Sequence, residues 1–428
     1  MAAFPRIPVG DLIAAGEAEL KTGPFGTQLK ASEYTEEGTT VINVRNIGMG
    51  SIKADKLEFI SDATRDRLSS HLLRSGDIVF GRKGAVERHV FIRKEQDGWF
   101  QGSDCLRLRF NSPRVLPLFA SYFFITEEHQ RWMMNQCSHG ATMSSLNQDI
   151  LERIDLPLPP MPVQRRIAGI LSAYDELMEN SQRRIRLLEA MARALYREWF
   201  VHFRFPGHEK HPRAASPLGD IPQGWEATTL GEHLAALESG KRPKGGIRKE
   251  AEGVPSIGAE NINGIGRHEF ASEKLIPRAF FEQMRKGLVR DRDVALYKDG
   301  AYIGKSSYFR DGFPHSECCV NEHVFLLRSD GVRLKQSSLY LWLQEPDTVQ
   351  TIRSKNANAA QPGINLQTVG GLELVLPDEK TAAHFDRLVE PLLAELINLA
   401  KQIQVLRRTR DLLLPRLLSG RVQIPNSN

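Results

Sequence analysis

Two stretches of this 428-residue chain, and one pair of aspartates, offer residue types that could do chemistry. Asp299-Gly-Ala-Tyr-Ile-Gly-Lys-Ser306 nearly spells a phosphate-cradling loop, whose backbone N–H groups and lysine would hold a nucleotide. Its first position is Asp rather than Gly, and the run lies amid strand-like residues without the helix that such a loop needs after it. His315, Cys318, Cys319 and His323 could be drawn as a zinc cluster. Adjacent cysteines do not readily take two corners of a tetrahedron, so buried thiols at a strand edge are the simpler reading and no metal is expected. Asp77 and Asp293 each precede an apolar strand-like run, where a turn or capping role is simpler than acid–base work. The sequence carries neither a Gly-rich methyl-donor loop with an Asn-Pro-Pro-Tyr-like tetrad nor a convincing carboxylate–lysine nuclease cluster. A non-catalytic chain with no cofactor of its own is expected.

Composition bounds the remaining choices. With 41% hydrophobic and 25% charged residues there is material for two packed domains of ordinary size plus helices. Four cysteines (Cys105, Cys137, Cys318, Cys319) without CxxC spacing indicate neither a disulfide framework nor a four-cysteine zinc site. The start, Met1-Ala-Ala-Phe-Pro-Arg-Ile-Pro, lacks the apolar core of a signal peptide, and no uncharged apolar run approaches the roughly 20 residues that span a bilayer. A cytoplasmic protein without a membrane partner is expected. A net charge of +5 leans mildly toward an anionic partner.

The elements that must position any site are repeated. Ile167, Leu171, Tyr174, Met178, Ser181, Ile185, Leu188, Ala192, Leu195 and Trp199 form a heptad seam. Phe385, Val389, Leu392, Leu396, Leu399, Ile403, Leu406, Arg410, Leu413 and Leu417 form a second, each 218 positions after its counterpart. The strict 4,3 spacing predicts a coiled-coil seam rather than a broad amphipathic face. Two seams of equal length predict antiparallel pairing, which would place a globular block at each end. Pro162 suits a first helical position, Asp378 a cap and Gly420 a stop, while Pro391 inside the second seam predicts a kink or a short first segment.

The blocks outside the helices echo each other too. Thr22-Gly-Pro-Phe-Gly-Thr-Gln28 answers to Ser239-Gly-Lys-Arg-Pro-Lys-Gly-Gly246, and Val41-Ile-Asn-Val-Arg-Asn-Ile47 to Ser256-Ile-Gly-Ala-Glu-Asn-Ile262. Leu72-Leu-Arg-Ser-Gly-Asp77 answers to Leu288-Val-Arg-Asp-Arg-Asp293, and Ile154-Asp-Leu-Pro-Leu-Pro159 to Leu372-Glu-Leu-Val-Leu-Pro377. Short apolar runs between Gly, Asn and Asp turns predict strands, with helix over Leu116–Cys137 and Leu339–Ser354, so each block reads as α+β. Prolines and glycines across 204–224 predict a linker. The expected organisation is a block at 1–159, a long helix at 160–203, the linker at 204–224, a second block at 225–377, a second long helix at 378–420 and a tail at 421–428.

Thr22-Gly-Pro-Phe-Gly, the repeated Asn-Ile, Leu-Arg-Ser-Gly-Asp-Ile, Leu-Pro-Leu-Pro-Pro before Gln164-Arg-Arg-Ile, Glu198-Trp-Phe-Val-His-Phe-Arg-Phe-Pro-Gly207, Ile221-Pro-Gln-Gly-Trp225 and Leu414-Pro-Arg-Leu-Leu-Ser-Gly420 together resemble the specificity subunit of a Type I restriction-modification system. The resemblance covers essentially the whole chain. It departs at Lys241-Arg-Pro-Lys, basic where the first copy has Pro-Phe-Gly, and at Pro391. It implies two target recognition domains related by an internal pseudo-twofold, each reading half of a bipartite double-stranded DNA target, and two antiparallel helices that space them. It further implies two modification (methyltransferase) subunits that use S-adenosylmethionine and restriction subunits that use ATP and Mg²⁺.

A DNA reader grips phosphates with basic and small polar groups and reads base edges in the major groove. The candidates on Gly-rich loops are Lys21, Thr22, Gln28, Arg45, Asn46, Arg82, Lys83, Arg88 and His89 in the first block. In the second they are Lys241, Arg242, Lys244, Asn261, Asn263, Arg267, Lys298, Lys305, Asn356, Asn358 and Gln361. Any one of them could equally be an ordinary solvated side chain. Two alternatives stay open at this level: a coiled-coil scaffold without a DNA role, which a footprint lacking two protected patches would favour, and a nucleotide-using enzyme, which ATP turnover would favour.

Overall fold

A computed structural model describes residues 4–24, 26–137, 145–243, 252–355 and 363–420. The chain divides into two compact units, residues 1–176 with 407–428, and residues 177–406. The division falls inside the long helices rather than at their ends, so each unit owns a globular block and a stretch of both helices.

Each block is built on the same plan. In the first, the larger sheet runs in the order Ala18–Thr22, Cys105–Phe110, Ile78–Gly81, His89–Phe91, Met49–Gly50. The smaller has Tyr34–Thr35, Glu58–Ile60, Thr39–Ile42 and Phe100–Gln101, the last two parallel. In the second, Leu234–Ser239, Val324–Ser329, Val294–Tyr297 and Ser306–Tyr308 make the larger sheet. Lys274–Ile276, Val254–Ile257 and Cys319–Val320 make the smaller, again with its last pair parallel. First and last strands of each block pair antiparallel, Arg6–Pro8 with Asp155–Pro157 and Glu226–Thr229 with Glu373–Leu376. The central strand Ile78–Gly81 is buried throughout, which explains its unbroken apolar run, because covered strands have no wet face to alternate with. The mixed helix-and-sheet duplication read from the sequence is present in the fold.

The long helices run Met161–Tyr196, closing in a π-turn over Arg197–Val201, and Glu379–Leu418. Asp378 caps the second, accepting from Thr381 N at 3.0 Å. Within the second unit, Arg184 Nη2 lies 2.6 Å from Glu395 Oε1 while the rings of Trp199 and Phe385 lie 5.5 Å apart. As one helix ascends in number its partner descends, so the two are antiparallel. Within the first unit Arg410 Nη1 reaches Asp175 Oδ1 at 2.6 Å, and Ile167 and Leu171 share a core with Leu414 and Leu417. Ile167, Leu171, Met178, Ile185, Trp199, Phe385, Val389, Leu396, Leu399 and Leu417 are buried, with Tyr174, Leu188, Leu195, Leu392, Ile403, Leu406 and Leu413 half-buried.

Several expectations need correction. The second helix is not a narrow seam: Leu393, Ile397, Ala400, Leu414 and Leu418 are buried as well. The block in each unit packs on it beside the partner helix, which widens the apolar face. Pro391 ends no segment, since buried Val389 and Leu393 on either side hold the helix through it. The stretch 116–137 is two helices, Pro117–Phe124 and Glu127–Cys137, with the hydroxyl of Thr126 accepting from His129 N between them. The stretch 339–354 is likewise Gln336–Trp342 and Pro346–Ser354, the second opening on its proline. The expected linker contains a hairpin, Arg213–Ser216 with Gly219–Pro222, and its Phe205 and Ile221 belong to the second unit's core beside Trp225. Among the described residues no helix is long and apolar enough to cross a membrane.

Candidate nucleic-acid interface

In each block the loops at one end of both sheets are sewn together by the same backbone contacts. In the first, Leu146 N donates to Arg82 O at 2.8 Å, Arg82 N to Asp104 O at 2.8 Å and Gly102 N to Ile42 O at 2.9 Å, with a bridge between Lys83 and Ser145. In the second, Ile364 N donates to Lys298 O at 3.0 Å, Lys298 N to His323 O at 3.1 Å and Asn321 N to Ile257 O at 3.0 Å, with a bridge between Asp299 and Gly363. The glycine opening each repeated loop is required by crowding. A Cβ on Gly23 would lie 2.0 Å from Gly102 O, and one on Gly240 1.5 Å from Val320 O.

This cluster gathers Thr22, Arg82 and Lys83 in the first block, whereas Lys21 lines a separate recess with Ser69, Arg74, Asp97 and Arg107. Lys21 and Thr22 end the strand facing Arg107 and Leu106, and Thr22 Oγ1 accepts from Gln148 Nε2 at 3.1 Å. Arg45 pairs with Glu58 at 2.5 Å, Lys83 with Asp104 at 3.5 Å and Arg88 with Glu87 at 3.3 Å. Gln28 is exposed and its carbonyl accepts from Arg67. In the second block the cluster gathers Lys241, Arg242 and Lys298, with Arg242 on Glu322 at 2.9 Å and the Lys298 ammonium 5.0 Å from the Phe325 ring centroid. These exposed ion pairs are worth little in water, so a phosphate can displace the carboxylate at small cost.

Other candidates lie elsewhere. Asn263, Arg267 and Lys305 line a recess of about 300 Å³ with Arg193, Arg353 and Glu189, in which Arg267 pairs with Glu189 at 2.5 Å. Lys244, Asn356, Asn358 and Gln361 fall outside the described residues. Three side chains are not surface hands at all. Asn46 is fully buried: its Oδ1 accepts from Asn43 N at 3.1 Å and its Nδ2 donates to Lys53 O and Asp55 O. Asn261 repeats this, accepting from Gly258 N at 3.2 Å and donating to Glu269 O at 3.0 Å. The repeated Asn-Ile is thus a turn-forming device. His89 is also fully buried, bonded to Ser121 Oγ at 2.8 Å between Phe80 and Phe124, and burial pulls its pKa down to about 3.

Sequence reasoning missed Asp104, Ser145 and Gln148 in the first cluster and Glu322 in the second, and weighed His323 only as a metal ligand. A signal existed, because Leu146-Asn147 and Ile364-Asn365 stand at the same 218-residue offset as the seams. Both asparagines cap a short helix, Asn147 accepting from Ile150 N at 2.9 Å and Asn365 from Thr368 N at 2.8 Å. The drawn zinc cluster does not form. Cys318 and Cys319 are buried with their thiols pushed up by desolvation, and Cys319 Sγ faces Pro255 O at 3.7 Å. His323 Nδ1 meets Asp299 Oδ2 at 2.7 Å. After Lys305 the chain enters a strand rather than a helix, so the near-miss phosphate loop lacks its anion-binding end.

Residues 25–190 match the family described as Type I restriction modification DNA specificity domain. The chain is similar to the Type I restriction enzyme MjaIX specificity subunit of Methanocaldococcus jannaschii, at 24% identity over 72% of this chain and 70% of that one. It is also similar to the HindI specificity subunit of Haemophilus influenzae, at 20% identity over 82% and 87% respectively. The crystal structure of a Type-I restriction-modification system S subunit from M. genitalium shares the fold, with TM-score 0.58 and 16% identity over 99% of this chain and 97% of that one. In its sequence the chain is thus similar to the specificity subunits of Type I restriction-modification systems, and its residues 25–190 match their DNA specificity domain.

Proposed function

We propose that each block reads one half of a bipartite double-stranded DNA target through its loop cluster, and that the paired helices fix the distance between the halves and dock two modification subunits. The observation that carries this reading is the loop cluster built twice with the same backbone contacts in one chain. Lysines and arginines on the cluster would neutralise phosphates and set the register, while amide and carboxylate groups beside them, such as Gln148 and Glu322, suit base edges. The chain does no chemistry in this reading. Methyl transfer from S-adenosylmethionine and ATP- and Mg²⁺-dependent translocation and cleavage belong to modification and restriction subunits in the cytoplasm. With a net charge of only +5, the lone chain should bind DNA weakly and the assembly should supply much of the grip.

Methylome sequencing of the source cell with the gene present and deleted tests the proposal. A bipartite methylated motif should vanish on deletion, and persistence of every motif would overturn it. Footprinting of the assembled complex should give two protected patches about one DNA turn, roughly 34 Å, apart or slightly further.

A further inference from the structure

We infer that His268, Glu273 and His315 form a binding site for one divalent transition-metal ion of the Zn²⁺ kind in the second block. Their ligand atoms all lie within 4.8 Å of one another. The Nε2 atoms of both imidazoles converge on one oxygen, Glu273 Oε1, that of His268 at 2.5 Å. For one carboxylate oxygen to accept from both rings, each Nε2 must carry a proton, and a cation is the natural replacement for two protons held at one point. Two imidazoles and a carboxylate are a ligand set that Zn²⁺ accepts, leaving a fourth position for water. The remaining requirement is space. Tetrahedral ligands at about 2.0–2.1 Å from the ion stand roughly 3.3 Å apart, so the trio must open slightly, and His315, with 26% of its side chain exposed, is the least enclosed of the three.

The setting is built rather than incidental. The His268 side chain is 2% exposed and that of Glu273 16%, with Phe270 packed edge-on to both imidazoles at ring distances of 4.6 and 5.7 Å. Strand register explains why residues 42 positions apart meet. Lys274 and Cys319 begin the two outer strands of the small sheet, and both face Ser256 on the strand between them. Glu273 precedes one of these strands directly and His315 lies just before the other, so an ion held here would tie together the two segments that lead into the outer strands. Among the described residues a second cluster, Glu226, Glu232 and His233, is engaged instead with Arg333, Thr228 and Asp330. The proposed site is independent of DNA reading.

Equilibrium dialysis of the full chain against Zn²⁺ should retain one ion per chain, and Co²⁺ substitution should give the visible absorption of a low-coordinate nitrogen–oxygen site. His315→Ala, at a partly exposed position that tolerates truncation, should weaken retention at least about tenfold. Glu273→Gln should do the same. A chelator should lower the melting temperature of the wild type and leave that of H315A unchanged. No retention at micromolar Zn²⁺, or equal retention by the wild type and H315A, would overturn the site. Hydrogen exchange over residues 254–276 in H315A separates loss of a ligand from loss of the fold.

Discussion

The Arg109 guanidinium grips the Asp77 carboxylate with two parallel bonds, Nε to Oδ1 and Nη2 to Oδ2, both 2.7 Å long. Arg328 holds Asp293 in the same way at 2.6 and 2.7 Å. Each aspartate also accepts a backbone N–H from three residues upstream, Arg74 to Asp77 at 2.7 Å and Arg290 to Asp293 at 2.8 Å. Each arginine further donates to a loop carbonyl, that of Leu72 or of Leu288. The repeated Leu-x-Arg-x-x-Asp is therefore a clasp that ties a turn to the central strands, and the expected turn role of both aspartates is part of it.

Breaking the clasp strands a buried charge. Arg109→Ala should cost about 3–5 kcal/mol, because Asp77 has only 1% of its side chain exposed and loses its counter-charge. Arg109→Lys should recover little, since one ammonium cannot make both bonds. Hydrogen exchange should show lost protection in Ala18–Thr22 and Cys105–Phe110 for R109A, and in Leu234–Ser239 and Val324–Ser329 for R328A. Unchanged protection in both variants would contradict the clasp.

Acid should loosen the first block below about pH 6.5. Burial depresses the pKa of His89 and of His129 to about 3 from the usual 6.5. Between those values the unfolded chain binds protons that the native state refuses. Stability is fully retained above pH 6.5 and falls as pH drops, by up to roughly 1.4 kcal/mol per pH unit for each buried ring. Urea midpoints for the first unit, followed from pH 7 to pH 5, should decline, and His89→Phe should flatten the decline.

Two candidates within the first block separate folding from recognition. Asn46→Ala should destabilise by about 1–3 kcal/mol, because it removes the three hydrogen bonds by which a fully buried amide ties Asn43, Lys53 and Asp55 into one turn. Lys83→Ala should stay within about 0.5 kcal/mol in stability. It should weaken DNA binding by the assembled complex and lower the salt slope by about 1. Thermal melts and salt-dependent titrations distinguish the two; a stability loss for K83A equal to that of N46A would refute the assignment.

Gly240→Ala should disable one half-site. The added carbon would overlap the carbonyl of Val320, forcing the second loop cluster apart at a cost of about 1–3 kcal/mol or more. Footprints of the complex should lose one protected patch and keep the other, while Gly23→Ala should show the converse pattern. Loss of both patches from either variant would argue against independent readers.

Much of this organisation was legible in the sequence because it rests on local spacing. The pitch of a helix places every third or fourth residue on one face, so the two seams disclosed paired helices, and their constant offset disclosed the duplication. Asp378 announced a helix start by its own chemistry, and the repeated Leu-x-Arg-x-x-Asp announced a shared turn. Pro391 misled because tertiary packing of Val389 and Leu393 outweighs the hydrogen bond a proline removes.

Which polar residue faces water was decided only by the tertiary structure. Asn46 and Lys83 look alike as loop residues in a string, yet one side chain closes a buried turn and the other stands in solvent. His89 reads as a basic hand until Phe80 and Phe124 are seen around it. His315 was drawn with nearby cysteines but meets His268 and Glu273, because the small sheet's register joins distant segments. Periodicity is a property of consecutive residues and survives in the sequence, whereas desolvation and partner choice arise only when segments far apart in the chain exclude water together.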